Sequence, residues 1–297
     1  MVELPRGPQD ILALSQDEAD GLLERLERTV PVHPAFVRLA PGPMREAVVL
    51  GDSHGDWRST EAAVDLFRTE GAEAMLIGLG DYIDRPPDDC GDGSVANALY
   101  LLSLAARFPD RVLLVQGNHE TVRRVPAYPH HLPEEVDQLW GPEVERYDRL
   151  MALLERGPIA ASTGNGAYLA HAGFPRHLER EWTETYAHLD VDGLCEVVWA
   201  ECDVARSRRG GGPPWGSADL DRFFRATGLS IFLRGHDPDL TGRPLYAGRC
   251  LTLHTTRIYE QFGGVVVGLL PLGTALNSVS EVRLRHLPTE GRSYPSV

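Results

Sequence analysis

Three short segments place carboxylate, amide and imidazole side chains directly after apolar runs. They are residues 51–56 (GDSHGD), 80–85 (GDYIDR) and 117–120 (GNHE), which follow the runs ending at residues 50, 79 and 115. These side chains are ligands for divalent metal ions. Residues two apart on an extended chain point the same way, so Asp52 and His54 can bind one ion. Because the pattern occurs three times, the sequence predicts a shared metal site.

The apolar runs before these segments are typical of buried parallel strands. Residues 61–67 and 95–106 have helical composition, so the order is strand, helix, strand, helix, strand. Crossovers between parallel strands are right-handed, and the carboxyl ends of such strands open on one edge of the sheet. The three polar segments are therefore expected to meet at that edge.

The remaining segments predict a second sheet and a helical cover. Residues 158–161 and 168–170 flank the turn Gly164-Asn165-Gly166 as a hairpin that carries His171. Residues 231–233 form the next core strand and carry His236. We expect residues 251–253 and 265–267 to close this second sheet, residues 279–287 to add an edge strand, and residues 118–157 to form mostly solvated helices.

The N-terminal 46 residues are expected to lead into the core. Residues 1–14 are proline-rich and predict an irregular segment, and Ser15 with Glu18 forms a capping-box pattern that begins a helix. The apolar positions 19, 22, 23 and 26 lie on one helix face, which either packs on the core or binds a partner. Prolines between residues 31 and 43 then mark a connection to the first core strand.

Composition indicates a soluble protein and excludes several functional classes. The 297 residues carry a net charge of −14 and no lysine, which argues against a broad nucleic-acid surface. No apolar run is long enough for a membrane span, and the N-terminus lacks a signal-peptide pattern, so we expect a cytoplasmic protein. The four cysteines show no CxxC spacing and predict neither a zinc knuckle nor a disulfide framework.

Two later segments, His171-Ala172-Gly173 and Arg234-Gly235-His236, complete a set of five. In this order and spacing, the five resemble the signature motifs of the phosphoprotein phosphatase (PPP) family of dinuclear metallophosphoesterases. The resemblance implies an α/β fold of the calcineurin-like type, a sandwich of two mixed β-sheets flanked by helices. It also implies a catalytic domain at residues 47–275, preceded by the 1–46 lead and followed by an edge strand and tail at 276–297.

The resemblance further implies a centre of two divalent cations, with Mn²⁺ expected and Fe, Zn or Co as alternatives. The implied metal ligands are Asp52 and His54 for the first ion, Asp81 as the bridge, and Asn118, His171 and His236 for the second ion. In the family, a hydroxide that bridges the two ions attacks phosphorus in line, without a covalent enzyme intermediate.

Other residues take roles only through the same resemblance. His119 would be the general acid that protonates the leaving oxygen, oriented by Asp84, while Glu120 orients its neighbours. Arg85 and Arg209 would bind phosphate as planar cationic forks, with Arg208 as the alternative to Arg209. Tyr259 and Glu201 match positions near the phosphate and on the substrate side.

Several features lie outside the family pattern. Pro86 replaces a glycine, and residues 255–258 (TTRI) replace the eukaryotic Ser-Ala-Pro-Asn, which predicts a bacterial or archaeal type of enzyme with a different substrate groove. We interpret His130, His131, His177 and His188 as surface residues. For His254 the sequence leaves open whether it packs or supports the metal site.

The sequence therefore predicts a metal-dependent phosphomonoesterase that acts on phosphoserine or phosphothreonine in proteins, and on phosphotyrosine as a further option. Glu120 favours this over the alternative, a diadenosine polyphosphate or nucleotide hydrolase, whose members tend to have aspartate there. A catalytically silent phosphoprotein-binding scaffold is the third hypothesis, and the complete set of implied ligands argues against it. No regulatory subunit can be named from the sequence.

Overall fold

The computed structural model describes residues 3–40, 42–206 and 209–288. Within these ranges the helices are α1 (Pro8–Leu12), α2 (Gln16–Thr29), α3 (Trp57–Thr69), α4 (Gly93–Arg107), α5 (Leu132–Trp140), α6 (Val144–Leu154), α7 (Val191–Val198) and α8 (Ser217–Thr227). The strands are β1 (Phe36–Leu39), β2 (Glu46–Leu50), β3 (Ala74–Gly78), β4 (Val112–Leu114), β5 (Ala160–Thr163), β6 (Ala167–Ala170), β7 (Ile231–Arg234), β8 (Pro244–Leu245), β9 (Cys250–Thr252), β10 (Val266–Pro271) and β11 (Arg283–His286).

The strands form two mixed sheets. The first sheet has the order β11-β10-β2-β3-β4, in which β2, β3 and β4 are parallel and β10 is antiparallel to β2. The second sheet has the order β1-β5-β6-β7-β9-β8 and contains the predicted β5–β6 hairpin. The expected fold class, two mixed sheets flanked by helices, is confirmed.

Alternating side chains of the strands build separate apolar layers. In β2, Ala47 and Val49 lie in the core between the two sheets, whereas Val48 and Leu50 lie in the core under helices α2 to α6. This is the period-2 alternation that an extended strand imposes. The opposite face of the second sheet packs against α7 and α8. The sheets are therefore buried on both faces, with helices outside.

The sheet that we predicted for the strand at residues 265–267 is wrong. We expected it to close the second sheet, but β10 pairs with β2 of the first sheet, with Leu269 opposite Val48. Residues 251–253 do belong to the second sheet through β9, so the chain changes sheets after β9. Both sheets are apolar on both faces, and for that reason the composition of a strand cannot reveal which sheet it joins.

The N-terminal lead contains more structure than predicted. Helix α1 lies within the segment expected to be irregular, and the expected proline-rich connection contains β1, which pairs in parallel with β5. β1 is an edge strand, the position where neighbouring prolines are tolerated. The capping box is confirmed, because Ser15 N–H donates to Glu18 Oε2 at 2.9 Å. The apolar face of α2 is fully buried in the core, as the packing interpretation predicts.

A carboxylate joins α5 to the start of α4. Glu135 Oε2 accepts the backbone N–H of Ser94 at 2.8 Å, and Ser94 Oγ donates to Glu135 Oε1 at 2.5 Å. Ser94 Oγ in turn accepts the backbone N–H of Asp84 at 2.9 Å, so this contact also fixes the loop after β3. Burial raises the pKa of Glu135 to about 7, although hydrogen bonds from Ser94 oppose the shift.

The raised pKa of Glu135 predicts a pH-dependent stability. The folded protein keeps this proton up to about pH 7, whereas the unfolded chain releases it near the ordinary value of 4.5. The stabilisation present at low pH is therefore lost as the pH rises through about 7, by up to about 3 kcal/mol. We expect the native protein to lose stability relative to Glu135→Gln as the pH rises from about 5 to about 8. Urea unfolding at both pH values measures this, and a difference that is independent of pH would contradict it.

Candidate metal centre

The six side chains that the sequence nominates as metal ligands lie together. They are nearly inaccessible to solvent and come from the ends of β2, β3, β4, β6 and β7: Asp52, His54, Asp81, Asn118, His171 and His236. The strands belong to both sheets, so the cluster lies at the edge that the two sheets share. The topology thus brings together residues that are far apart in the sequence.

The six side chains form two groups that share Asp81. In the first group, His54 Nε2 lies 3.9 Å from Asp52 Oδ2 and 3.7 Å from Asp81 Oδ2. In the second group, His171 Nε2 lies 3.4 Å from Asp81 Oδ2. His171 Nε2 is also 2.9 Å from Asn118 Oδ1 and 3.2 Å from Nδ1 of His236. Asp81 therefore lies where a carboxylate could bridge two ions.

The donor set fits divalent transition metals. His54 Nδ1–H donates to the carbonyl of Ile83 at 3.1 Å, and His171 Nδ1–H donates to the carbonyl of Leu79 at 3.0 Å. These contacts fix the tautomer, so that each Nε2 presents a lone pair to the cluster, which is the usual arrangement of metal-binding histidines. Nitrogen and oxygen donors of this kind suit Mn, Fe, Co or Zn.

The charge of the cluster also suits cations. Burial alone would raise the pKa of Asp52 and of Asp81. The neighbouring imidazoles, chiefly His254 for Asp52 and His171 for Asp81, outweigh burial and hold both pKa values below the ordinary range. Both carboxylates are buried, where a charge needs partners, and a bound cation would be a further partner.

Unusual backbone conformations turn these side chains toward each other. His54, Asp81, Asp84, Arg85 and His236 all have positive φ angles, between 43° and 72°. Non-glycine residues rarely adopt such angles, and they cluster at functional sites when the surroundings hold them. A hydrogen-bonded network must therefore hold these loops.

Glu120 supplies part of that network. Its carboxylate accepts the backbone N–H groups of Asp81, Tyr82 and Gly117 at 2.7–2.8 Å. The expectation that Glu120 orients its neighbours agrees with these contacts. It ties the loop after β3 to the loop after β4.

His119 lies beside the cluster and contacts Asp84. His119 Nδ1 is 2.5 Å from Asp84 Oδ2, and its backbone N–H donates to Asp81 Oδ1 at 3.1 Å. Burial lowers the pKa of His119, but the charge of Asp81 and the Asp84 hydrogen bond raise it above its usual value. Among the described residues, the buried Nε2 of His119 has no hydrogen-bond partner. That nitrogen is the part of the ring that the described protein leaves uncommitted.

The expectation that His130 is a surface residue is wrong. Its side chain is only 12% exposed, and Nδ1 lies 2.8 Å from the same Asp84 oxygen that His119 contacts. His130 lies in the segment after β4 that we expected to be a solvated cover, and its spacing matches no motif, so the sequence contains no signal for this contact. His131, His177 and His188 are exposed, as expected.

Arg85 lies next to Tyr259 near the cluster. The guanidinium of Arg85 donates from Nη1 to the Tyr259 hydroxyl at 3.0 Å and from Nη2 to the carbonyl of Tyr128 at 3.1 Å. The Tyr259 ring also stands edge-on to His54, with a centroid distance of 5.7 Å. The structure therefore brings together two of the residues nominated for phosphate binding.

Arg209 is held next to His236. Its Nη2 donates to the carbonyl of His236 at 2.8 Å and to Asp237 Oδ1 at 3.0 Å. Glu201 is buried, and its Oε1 accepts Nε–H of Arg209 at 3.1 Å. Glu201 thus orients Arg209, and its expected place on the substrate side stays a prediction. Arg208 lies outside the described residues.

Two residues of the late segment have contacts that the sequence left open or missed. His254 Nε2 lies 3.3 Å from Asp52 Oδ2, and Nδ1 is 2.9 Å from the hydroxyl of Thr241, so this histidine supports Asp52. Arg257 binds Asp56 through Nη2 at 2.8 Å and Asp89 through Nη1 at 2.9 Å. A lone arginine in a sequence gives no signal for such a contact.

A family model confirms what kind of domain this is. The model described as calcineurin-like phosphoesterase matches residues 47–240, which is more than half of the chain. This chain belongs to the calcineurin-like phosphoesterase family. The match begins in β2 and includes the segments that carry all six clustered side chains.

Two serine/threonine-protein phosphatases are similar to most of this chain. A serine/threonine-protein phosphatase PP2A-like PPG1 from Candida albicans is 27% identical over 224 residues, which cover 71% of this chain and 51% of that protein. The serine/threonine-protein phosphatase 4 catalytic subunit of Saccharomyces cerevisiae is 26% identical over 242 residues, which cover 77% of this chain and 75% of that protein. The chain thus spans only about half the length of the Candida relative. The resemblance to the PPP family is confirmed.

A solved structure shows the same fold. A Saccharomyces cerevisiae protein serine/threonine phosphatase, with similarity to human phosphatase PP5, superposes with a TM-score of 0.73 at 20% identity. The superposition covers 96% of this chain and 92% of that chain. Across the described residues, none of the helices of this phosphoesterase has the length and apolar character needed to span a membrane.

The close approach at Gly235 predicts a mutation that disturbs the metal centre. A Cβ atom there would lie 1.9 Å from Asp52 Oδ1, whereas a Cβ at Gly273 would meet no atom within 4 Å. We expect Gly235→Ala to displace the Asp52 carboxylate and to weaken metal affinity by about 10- to 100-fold. Gly273→Ala is the matched control. Metal titration with elemental analysis measures the effect, and native affinity in Gly235→Ala would contradict this account of the site.

Proposed function

We propose that this phosphoesterase hydrolyses phosphomonoesters on serine and threonine side chains of proteins, with divalent metals as cofactors. The observation that carries the proposal is the pair of ligand groups that share Asp81 and lie beside the His119–Asp84 contact. The same geometry argues against a silent scaffold, because all the nominated ligands are present and buried together.

We propose that the two groups hold the metals. Asp52 and His54 would hold one ion, Asn118, His171 and His236 the other, and Asp81 both, with Mn²⁺ as the proposed metal. When bound, such ions neutralise phosphate charge and lower the pKa of water that they coordinate. The protein contributes the fixed tautomers of His54 and His171 and the fixed position of Asp81.

Arginines would bind and orient the phosphate. The Arg85 guanidinium lies between the Tyr259 hydroxyl and the Tyr128 carbonyl, so it reaches the site already oriented. Arg209 is oriented by Glu201 and Asp237 on the side of His236. A planar guanidinium binds two phosphate oxygens at once, and prior orientation reduces the entropy lost on binding.

His119 would donate the proton to the leaving oxygen. Its Nδ1–H is held by Asp84, and the unpartnered Nε2 is the atom from which the proton would transfer. A positioned acid of this type contributes about 10² to 10⁴ in rate. The raised pKa of His119 favours the protonated form that donation requires.

The choice of protein substrates is supported by the names of the relatives, which are serine/threonine-protein phosphatases. Phosphotyrosine is the further option within the same proposal. Within the described residues none of the four cysteines lies in a disulfide bond, which supports the proposal of a reducing, cytoplasmic setting.

A substrate panel tests the function. We expect turnover of phosphoserine and phosphothreonine peptides with Mn²⁺, lost on chelation and regained on adding metal. Diadenosine polyphosphates serve as the competing substrates, compared by kcat/KM. A higher kcat/KM for the dinucleotides would replace the proposal with a nucleotide hydrolase, and no chelator-sensitive turnover of any substrate would favour a scaffold.

The role of His119 predicts a separation of metal binding from turnover. His119→Asn removes the proton donor but leaves the six proposed ligands intact. We expect both metals to be retained and kcat for phosphoserine peptides to fall by about 10² to 10⁴. Elemental analysis and steady-state kinetics on the same preparation measure this. Loss of a metal in this variant would show that His119 is a ligand and not the acid.

A further inference from the structure

Asp84 is held by four hydrogen-bond donors, two on each oxygen. Oδ1 accepts the backbone N–H groups of His131 at 2.7 Å and Leu132 at 3.1 Å, where α5 begins. Oδ2 lies 2.5 Å from His119 Nδ1 and 2.8 Å from His130 Nδ1. His130 is therefore the second partner of the same oxygen that orients His119.

His130 is itself fixed by a covering helix. Its Nε2 lies 3.0 Å from the hydroxyl of Tyr147 in α6, and the two rings meet edge to face at 5.7 Å. If Nδ1–H donates to Asp84, Nε2 is the ring atom that accepts the hydrogen bond of the Tyr147 hydroxyl. A continuous chain of contacts thus runs from Tyr147 through His130 and Asp84 to His119.

These three residues could in principle hold a metal, since Asp84, His119 and His130 offer ligand atoms close to one another. The distances argue otherwise. Ligand atoms that share one transition-metal ion at bonds of about 2.1 Å lie about 3 Å apart or more. The separations of 2.5 and 2.8 Å are those of hydrogen bonds to a carboxylate.

Asp84 has a strained backbone and depends on surrounding contacts. Its φ angle is +64°, a conformation that persists only where surrounding contacts hold the residue. The backbone donors fix only Oδ1. Without His130, the position of Oδ2 would depend on His119 alone, and the His119 ring could turn together with the carboxylate.

We propose that His130 is a positioning residue that holds Asp84, and through it His119, for proton donation to leaving groups of low acidity. This inference rests on the proposed function, in which His119 is the acid. Proton donation matters most when the leaving group is an aliphatic alkoxide such as that of serine. A phenolate, whose conjugate acid has a pKa of about 10, needs much less help. His130 therefore favours phosphoserine and phosphothreonine over phosphotyrosine.

The experiment compares leaving groups in metal-loaded protein. His130→Ala removes the donor to Asp84, and His130→Asn restores an N–H group near the position of Nδ1. Each variant is assayed on a phosphoserine peptide, on the phosphotyrosine peptide of the same sequence and on 4-nitrophenyl phosphate. Tyr147→Phe is a second, less disruptive variant that removes only the support of the His130 ring. His177→Ala, at an exposed histidine, is the matched control.

We expect His130→Ala to lower kcat on the phosphoserine peptide about tenfold and to change kcat on 4-nitrophenyl phosphate less than about twofold. KM and metal content should stay near their native values. His130→Asn should recover most of the loss, and Tyr147→Phe should show a smaller loss with the same substrate dependence. These selective effects distinguish positioning from a general structural role.

Other outcomes overturn the inference. Equal losses on all three substrates, or loss of metal, would give His130 a structural or ligand role. No loss in either His130→Ala or Tyr147→Phe would show that Asp84 does not need this support. His119→Asn is measured in parallel. If the loss of kcat in His119→Asn is the same for all three substrates, the proposed role of His119 as the acid is overturned as well. If the loss depends on the leaving group in His119→Asn but not in His130→Ala, only the role of His130 is overturned.

Discussion

The structure depends on the burial of two ionised carboxylates, Asp52 and Asp81, at the edge shared by two sheets. Enclosing a carboxylate costs several kcal/mol unless partners compensate. The fold supplies them from sequence-distant loops: His236 N–H donates to Asp52, and His119 N–H donates to Asp81. Metal ions, as proposed above, would add further positive partners to this cluster. Apolar layers pack on both faces of the central strands and hold the strand ends that carry it.

The loops that carry the site hold one another across the two sheets. The backbone N–H of Gly51 donates to the Thr255 hydroxyl at 3.0 Å, and Thr255 N–H donates to the carbonyl of Asp52 at 2.8 Å. A Cβ at Gly51 would overlap the carbonyl of Leu253, so glycine is required where the sheets come this close. Glu120 makes the corresponding connection between β3 and β4 within the first sheet. Backbone angles that would be unfavourable in isolation persist because these contacts determine them.

The sequence predicts best what depends on local pattern. Apolar runs followed by Gly-Asp or Gly-Asn located β2, β3 and β4 and the residues now found clustered after them, because strand periodicity and strand ends are local properties. It predicted less well what depends on tertiary context. β10 is apolar on both faces, so its sequence fits either sheet. β1 lies in a proline-rich segment, whose composition predicts a connection and not a strand. His130 and Arg257 acquire their partners only when helices and loops pack, so neither residue type nor spacing indicated them.

The two departures from the PPP pattern are one structural feature. Asp89 belongs to the loop that begins with Pro86, and Arg257 belongs to the segment that replaces Ser-Ala-Pro-Asn. The Arg257 guanidinium binds both Asp89 and Asp56, and Asp56 is the N-terminal cap of α3. Because Arg257 is mostly buried, this ion pair is screened little by solvent. It fixes the loop after Arg85 against the segment that carries Tyr259. The Arg85 Nη1 atom and the Tyr259 hydroxyl are 3.0 Å apart. Replacing Arg257 would leave the buried carboxylate of Asp56 without this partner, whereas replacing Asp89 would leave Arg257 still bound to Asp56.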